Sequence, residues 1–169
     1  MNKLYLIRYG EIGLKGENRS LFEDKLMSNI KKSIEKEDSG LNIYKTPGRI
    51  FLETSADKKI VKDRLLKIAG LVSFSPVIKL NLDYDQIKKA VLSSVKKKLE
   101  QEDKISFRIS ARRSNKKYKY GSMDLQYNLG EYVIENLSED KIEVDLHNPD
   151  LDVNVEIRKK HAYVYSQTF

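Results

Sequence analysis

Between Lys104 and Met123 the chain reads KISFRISARRSNKKYKYGSM, with seven basic side chains (Lys104, Arg108, Arg112, Arg113, Lys116, Lys117 and Lys119) and no acidic one. Tyr118 and Tyr120 lie among the last three lysines, and Phe107 precedes Arg108. Chemically this is a pattern for gripping a polyanion. Ammonium and guanidinium groups neutralise phosphates, while tyrosine rings and guanidinium planes can stack on unpaired bases. The competing reading is a solvated loop with surplus charge. A helix expected to start at Gly121-Ser122 would add free backbone amides to the same region.

A second candidate is RYGEIGLKGENR, residues 8 to 19, where Gly10, Gly13 and Gly16 recur every three residues. The spacing is not GxGxxG, and no GKS or GKT follows, so no nucleotide-binding loop is implied. Two readings stay open: a turn that needs positive φ angles, or an anion site in which Lys15 and Arg19 flank helix amides. The third candidate, DLHNPDLD, brings Asp145, His147, Asp150 and Asp152 close in sequence, as a metal site could. Asn148-Pro149-Asp150 is equally ordinary turn chemistry between two strands. The chain has no cysteine and only two histidines, His147 and His161, which excludes disulfides, thiolate metal sites and thiol nucleophiles. No Ser-His-Asp pattern stands out. The sequence therefore offers no catalytic, cofactor-binding or metal-binding residues.

The charge balance supports the first candidate. The 169 residues carry a net charge of +7 from 32 basic and 25 acidic side chains. Outside residues 104 to 123 the remaining 25 basic residues equal the acidic ones. The whole excess is thus concentrated in one stretch, where it can act as a local field. With 34% charged and 40% apolar residues, and neither a signal peptide nor a spanning segment at the start, a cytoplasmic protein is expected.

The elements that must position these residues follow from periodicity. Lys3 to Tyr9 alternates with apolar residues on both faces and predicts a central strand. Ser20 to Glu23 reads as a capping box for a helix with Phe22, Leu26, Ile30 and Ile34 in one stripe, ending near Asp38. Leu41 to Thr46 and Arg49 to Thr54 bracket Pro47-Gly48 as a hairpin. A helix capped by Asp57 and ending at Gly70, then a strand from Val72 to Leu80, complete β-α-β-β-α-β. Pro76 suggests an edge or a bulge in that strand. Beyond it come a helix capped by Asp83 or Asp85, a strand from Ile105 to Ala111 and a helix capped by Ser122. Strands at 142–146, 151–158 and 162–167 close the chain. The fold class is α+β, with a ferredoxin-like domain at 1–80 and an α/β domain at 81–169.

RYGEIGLKGENRSLFE at 8–23, FRISARRSNKKY, VDLHNPDLDVNVEIR and YVYS together resemble the tRNA 4-thiouridine synthetase family, the tRNA sulfurtransferases linked to thiamine biosynthesis. The resemblance runs over essentially all 169 residues. It identifies 1–80 with that family's N-terminal ferredoxin-like domain and 81–169 with its RNA-binding THUMP domain. The VDL-x-NPD-x-x-x-x-VEIR pattern alone would indicate only a THUMP domain, which RNA methyltransferases, pseudouridine synthases and a tRNA-binding acetylation adaptor share. In the resembled family a PP-loop domain with an SGGxDS-type loop uses ATP and magnesium to adenylate a uridine and then installs sulfur. No such loop and no persulfide-carrying cysteine occur here.

The resemblance therefore implies the tRNA-binding portion of a sulfurtransferase, positioning the acceptor stem and 3′ CCA end for a catalytic domain outside these residues. It assigns RNA contact to Arg108, Arg112, Arg113, Lys116 and Lys117, and also to Lys15 and Arg19. Lys119, Tyr118 and Tyr120 join the set from their interleaving. A sulfur-donor protein and a homodimer are further implied partners; no membrane is. The alternatives are the THUMP portion of a methyltransferase or pseudouridine synthase, or a ferredoxin-like module binding a small regulatory ligand. Phe169 follows directly on a strand, which reads as a piece of something longer.

Overall fold

The computed structural model describes residues 1–10 and 16–169. Its elements are β1 (Lys3–Tyr9), α1 (Glu17–Ile34), β2 (Asn42–Thr46), β3 (Arg49–Thr54), α2 (Lys58–Leu65), β4 (Leu71–Leu80), α3 (Tyr84–Leu99), β5 (Ile105–Arg113), α4 (Ser122–Asn136), β6 (Ile142–Val144), β7 (Leu151–Ile157) and β8 (Ala162–Tyr165). They form two compact units, one of residues 1–77 with 167–169 and one of residues 78–166.

In the first unit β1 lies between β3 and β4, antiparallel to both, and β2 pairs antiparallel with β3. The strand order β2-β3-β1-β4 is that of a ferredoxin-like sheet. β1 takes the middle because both its faces are apolar: Tyr5, Leu6 and Ile7 are all essentially inaccessible. Tyr5, Ile7 and Tyr9 share a core with Leu26, Ile30 and Ile34 of α1 and with Val61 and Leu65 of α2. Asp57 caps α2, its carboxylate accepting from the Lys59 N–H at 2.8 Å.

Two local expectations fail for identifiable reasons. The capping box does not form, because α1 starts at Glu17 behind Gly16, whose φ is +58°. Ser20 is already helical, its N–H donating to the Gly16 carbonyl at 3.4 Å and its hydroxyl accepting from Lys45 at 3.3 Å. Glu23 is buried and accepts from the Tyr9 hydroxyl at 2.9 Å instead of folding back on the helix end. The irregularity in β4 falls at Val72, where the register with Arg8 and Tyr9 slips, while Pro76 keeps register opposite Tyr5.

The sequence reading runs the second domain to Phe169, yet the last three residues group with the first unit. The Phe169 backbone exchanges hydrogen bonds of 2.9 and 3.0 Å with Phe74. Its ring lies 5.4 Å from the Phe74 ring, with Lys62 Nζ 4.3 Å above its centre.

In the second unit β6, β5 and β7 are parallel, and β8 runs antiparallel to β7 and to the last three residues of β4. Strand periodicity splits β5 cleanly. Ile105, Phe107, Ile109 and Ala111 face a core built with Ile87, Val91 and Val95 of α3 and Leu125, Leu129 and Val133 of α4. Ser106, Arg108, Ser110 and Arg112 point the other way, the last three in register with Asp152, Asn154 and Glu156 of β7. Asp83, not Asp85, caps α3. Gly121, not Ser122, occupies the cap position of α4 and makes no side-chain cap bond. Among the described residues no helix is long and apolar enough to cross a membrane.

Candidate nucleic-acid interface

The basic stretch spans β5 and the connection from Arg113 to α4, and the structure gives its charges different tasks. Polar residues brace the connection at its start. Ser114 N–H donates to the Ile157 carbonyl at 3.0 Å, and the Asn115 amide reaches the Arg158 and Lys159 carbonyls at 3.5 and 3.4 Å. Asn115 Oδ1 in turn accepts from the Lys117 N–H at 3.1 Å, an Asx turn. Arg113 closes the loop, donating to the Tyr118 carbonyl at 3.1 Å and the Lys116 carbonyl at 3.4 Å. Its charge is spent holding the backbone that displays its neighbours.

Those neighbours face solvent. Arg112, Lys116, Lys117 and Lys119 are all exposed. Lys119 Nζ lies 5.0 Å from the Tyr120 ring centre and 5.7 Å from that of Tyr84, which fixes the ammonium without neutralising it. The α4 terminus next to them has no side-chain cap but carries Asp124 in its first turn, so the basic side chains, not the helix end, supply the attraction for an anion. Three exposed lysines on a braced loop, with exposed Arg112 near the end of β5, can neutralise a run of phosphates.

Arg108 sits apart from this arrangement. Half-buried in β5, it donates to Asp152 Oδ2 at 2.6 Å and to the Leu146 carbonyl at 2.8 Å. The bond to Asp152 raises its already high pKa further. Tyr118 and Tyr120 are not displayed as free stacking faces either. Both pack against the core of the unit, their ring centres 6.3 Å apart, with Tyr120 4.9 Å from Tyr84. The Tyr118 hydroxyl is buried without a hydrogen-bond partner, and burial pushes its pKa up. Arg19 lies in the first unit, its Nε 3.8 Å from the Glu23 carboxylate. Lys15 lies outside the described residues.

The acidic motif is a clip. Asp145 accepts from the His147 and Asn148 N–H groups at 2.9 and 3.0 Å, bonds that hold its pKa down. Asp150 accepts from the Ser106 N–H and hydroxyl at 2.8 and 3.0 Å, likewise lowering its pKa, while its own N–H returns a bond to Ser106. Asp152 is taken by Arg108 and Ser110. Asp145 shapes the β6–β7 connection, Asp150 ties it to β5 and Asp152 ties β7 to β5, and no group of three metal-ligating side chains comes together among the described residues. Sequence reasoning missed Asn115 and Tyr84 as parts of the loop's support. The Ser-Asn pair before the lysines was a turn signal for the former; nothing local pointed to the latter, which arrives from α3.

Family models agree with this division. The model for the ThiI ferredoxin-like domain matches residues 4–75, and that for the THUMP domain matches residues 81–167. This chain belongs to the THUMP family. The THUMP unit and the unit before it also align together with curated relatives. Probable tRNA sulfurtransferases of Thermoanaerobacter pseudethanolicus and Acetivibrio thermocellus are 39% and 40% identical to it over 98% and 99% of its length. The chain spans only 42% of the length of each.

Among solved structures, PH1313 from Pyrococcus horikoshii superposes with a TM-score of 0.86 at 32% identity, over 99% of this chain and 54% of that one. A 4-thiouridine synthetase in complex with RNA and bound ATP gives 0.81, also at 32% identity, over 99% of this chain and 42% of its own. TrmN from Thermus thermophilus, at 19% identity and a TM-score of 0.63 over 99% of this chain and 45% of that one, shares the fold alone.

Proposed function

We propose that this chain holds the acceptor end of tRNA, binding the stem and its 3′ CCA nucleotides, and presents it for thiolation. The observation that carries the reading is a set of exposed cations, Arg112 near the end of β5 and Lys116, Lys117 and Lys119 on the loop that follows, whose backbone is fixed by Arg113 and Asn115. Basic side chains supply affinity by releasing counterions. The shape of the A-form stem and the splayed terminal bases supply selectivity. The RNA-bound 4-thiouridine synthetase, alike over this whole region, supports RNA as the ligand.

The rest of the reading concerns the longer relatives. It places the protein in the cytoplasm, within a tRNA sulfurtransferase linked to thiamine biosynthesis. That enzyme works with a sulfur-donor protein and as a homodimer. ATP and magnesium would be held by an SGGxDS-type loop, which this sequence lacks, so no residue here is assigned to them. The test is affinity for a tRNA minihelix with and without its CCA end, measured from 50 to 200 mM salt. Four to six phosphate contacts predict a log-log salt slope of about −3 to −6, with weaker binding when CCA is removed. Binding that ignores both salt and the CCA end would overturn the reading.

A further inference from the structure

The outer face of α4 carries features that the fold itself does not use. At 100° per residue, Leu125, Leu129 and Val133 point into the core, and all three are fully buried. Met123, Tyr127, Gly130 and Ile134 fall in a sector of about 60° on the far side. Met123 is 82% exposed, Tyr127 69% and Ile134 40%. Gly130 interrupts this apolar stripe in the middle of a helix, where glycine weakens the structure. Its φ is not positive, and an added Cβ would meet nothing within 4 Å. Neither backbone conformation nor internal packing accounts for it. A surface arriving from outside, close to the helix backbone, would.

Charge decides what kind of surface. Asp124, Glu131 and Glu135, all exposed, flank the stripe on one side, and α4 contains no lysine or arginine. In a protein of net charge +7 this helix is a local acidic strip. RNA phosphates would meet three carboxylates here. A second copy docking α4 on α4 about a two-fold axis would bring the two acidic flanks together.

We propose that the outer face of α4 docks a separate protein through a lysine- or arginine-rich surface, with a bulky apolar side chain of that partner seated over Gly130 between Tyr127 and Ile134. The partner's cations pair with Asp124, Glu131 and Glu135. The same unit then holds RNA at its basic loop and a protein on its acidic helix, and the two sites fail independently.

The test uses isotope-labelled protein titrated with a synthetic amphipathic Leu/Lys helical peptide and with its Leu/Glu counterpart, followed by NMR. The Leu/Lys peptide is expected to shift the amide signals of Met123, Tyr127, Gly130 and Ile134, and the Leu/Glu peptide to leave them in place. Gly130→Leu should weaken peptide binding at least tenfold while RNA binding is retained. Should that variant not fold, the Glu131→Lys/Glu135→Lys pair makes the same demand on the acidic flank. The proposal is overturned if the Leu/Lys peptide leaves α4 unshifted, if minihelix RNA shifts Tyr127, Gly130 and Ile134, which lie beyond the first turn of α4, or if the chain self-associates and Gly130→Leu abolishes that association.

Discussion

Replacing Arg112, Lys116 and Lys117 together with glutamine isolates the part of the basic stretch that is free to act. All three side chains are exposed, and none is drawn into an ion pair among the described residues, so each counts as a full phosphate contact. Losing three contacts flattens the log-log salt slope by about 2 to 3 units, taking roughly 0.7 to 0.9 per contact. Over a fourfold rise in salt, from 50 to 200 mM, the parent protein should then lose roughly 20 to 40 times more affinity than the variant loses. Fluorescence anisotropy with a labelled tRNA minihelix at several salt concentrations reads this directly. Thermal melting should stay unchanged, because the three side chains support nothing. Arg108→Gln is the control: its bonds to Asp152 and Leu146 are structural, so it should cost about 1–2 kcal/mol of stability and leave the slope alone. A triple variant with the parent's slope, or one that unfolds, refutes the assignment.

Gly130→Ala should stabilise the protein by about 0.8–1 kcal/mol, raising Tm by roughly 2–4 °C, since the new methyl has open space. Gly70→Ala should destabilise by more than about 1 kcal/mol, because φ there is +87° and the Cβ would sit 2.8 Å from the Phe22 ring; urea unfolding compares the two. Tyr118→Phe removes a buried hydroxyl that has no partner, so stability should hold or rise by up to about 1 kcal/mol, with minihelix affinity unchanged; a loss of RNA binding would show the hydroxyl at work there. The Asp38 carboxylate is held below its ordinary pKa by the Thr54 hydroxyl and by the N–H groups of Ser55 and Gly40. A depressed carboxylate pKa stabilises above the unfolded value and loses that contribution as pH falls through the folded one. Asp38→Asn should therefore lessen the drop in Tm below about pH 4; an acid profile identical to the parent's would refute it.

Much of the architecture was legible because it is written in local periodicity. The two-faced apolar pattern of Lys3–Tyr9 marked a central strand, and Asp57 marked the start of α2. The alternation in β5 correctly separated Phe107 and Ile109 from Arg108 and Ser110. Errors gathered where a side chain found a distant partner in place of a local one. Ser20 and Glu23 have the spacing of a capping box, but Lys45 and Tyr9 engage them. The closing residues read as the end of the second unit, yet Phe169 finds Phe74, 95 positions earlier, for its backbone and ring.

The sequence by itself determined that the positive charge is concentrated between Lys104 and Met123, and that no thiol chemistry is available, because both depend only on which residues are present. Tertiary structure decided how that charge is divided. Arg108 is taken by Asp152, 44 positions away, and Arg113 by carbonyls of its own loop. Tyr118 and Tyr120 turn toward the core and Tyr84. Arg112, Lys116, Lys117 and Lys119 are left outside. A charge is free or spent according to what the fold brings within hydrogen-bond distance, and one-dimensional spacing does not contain that distance.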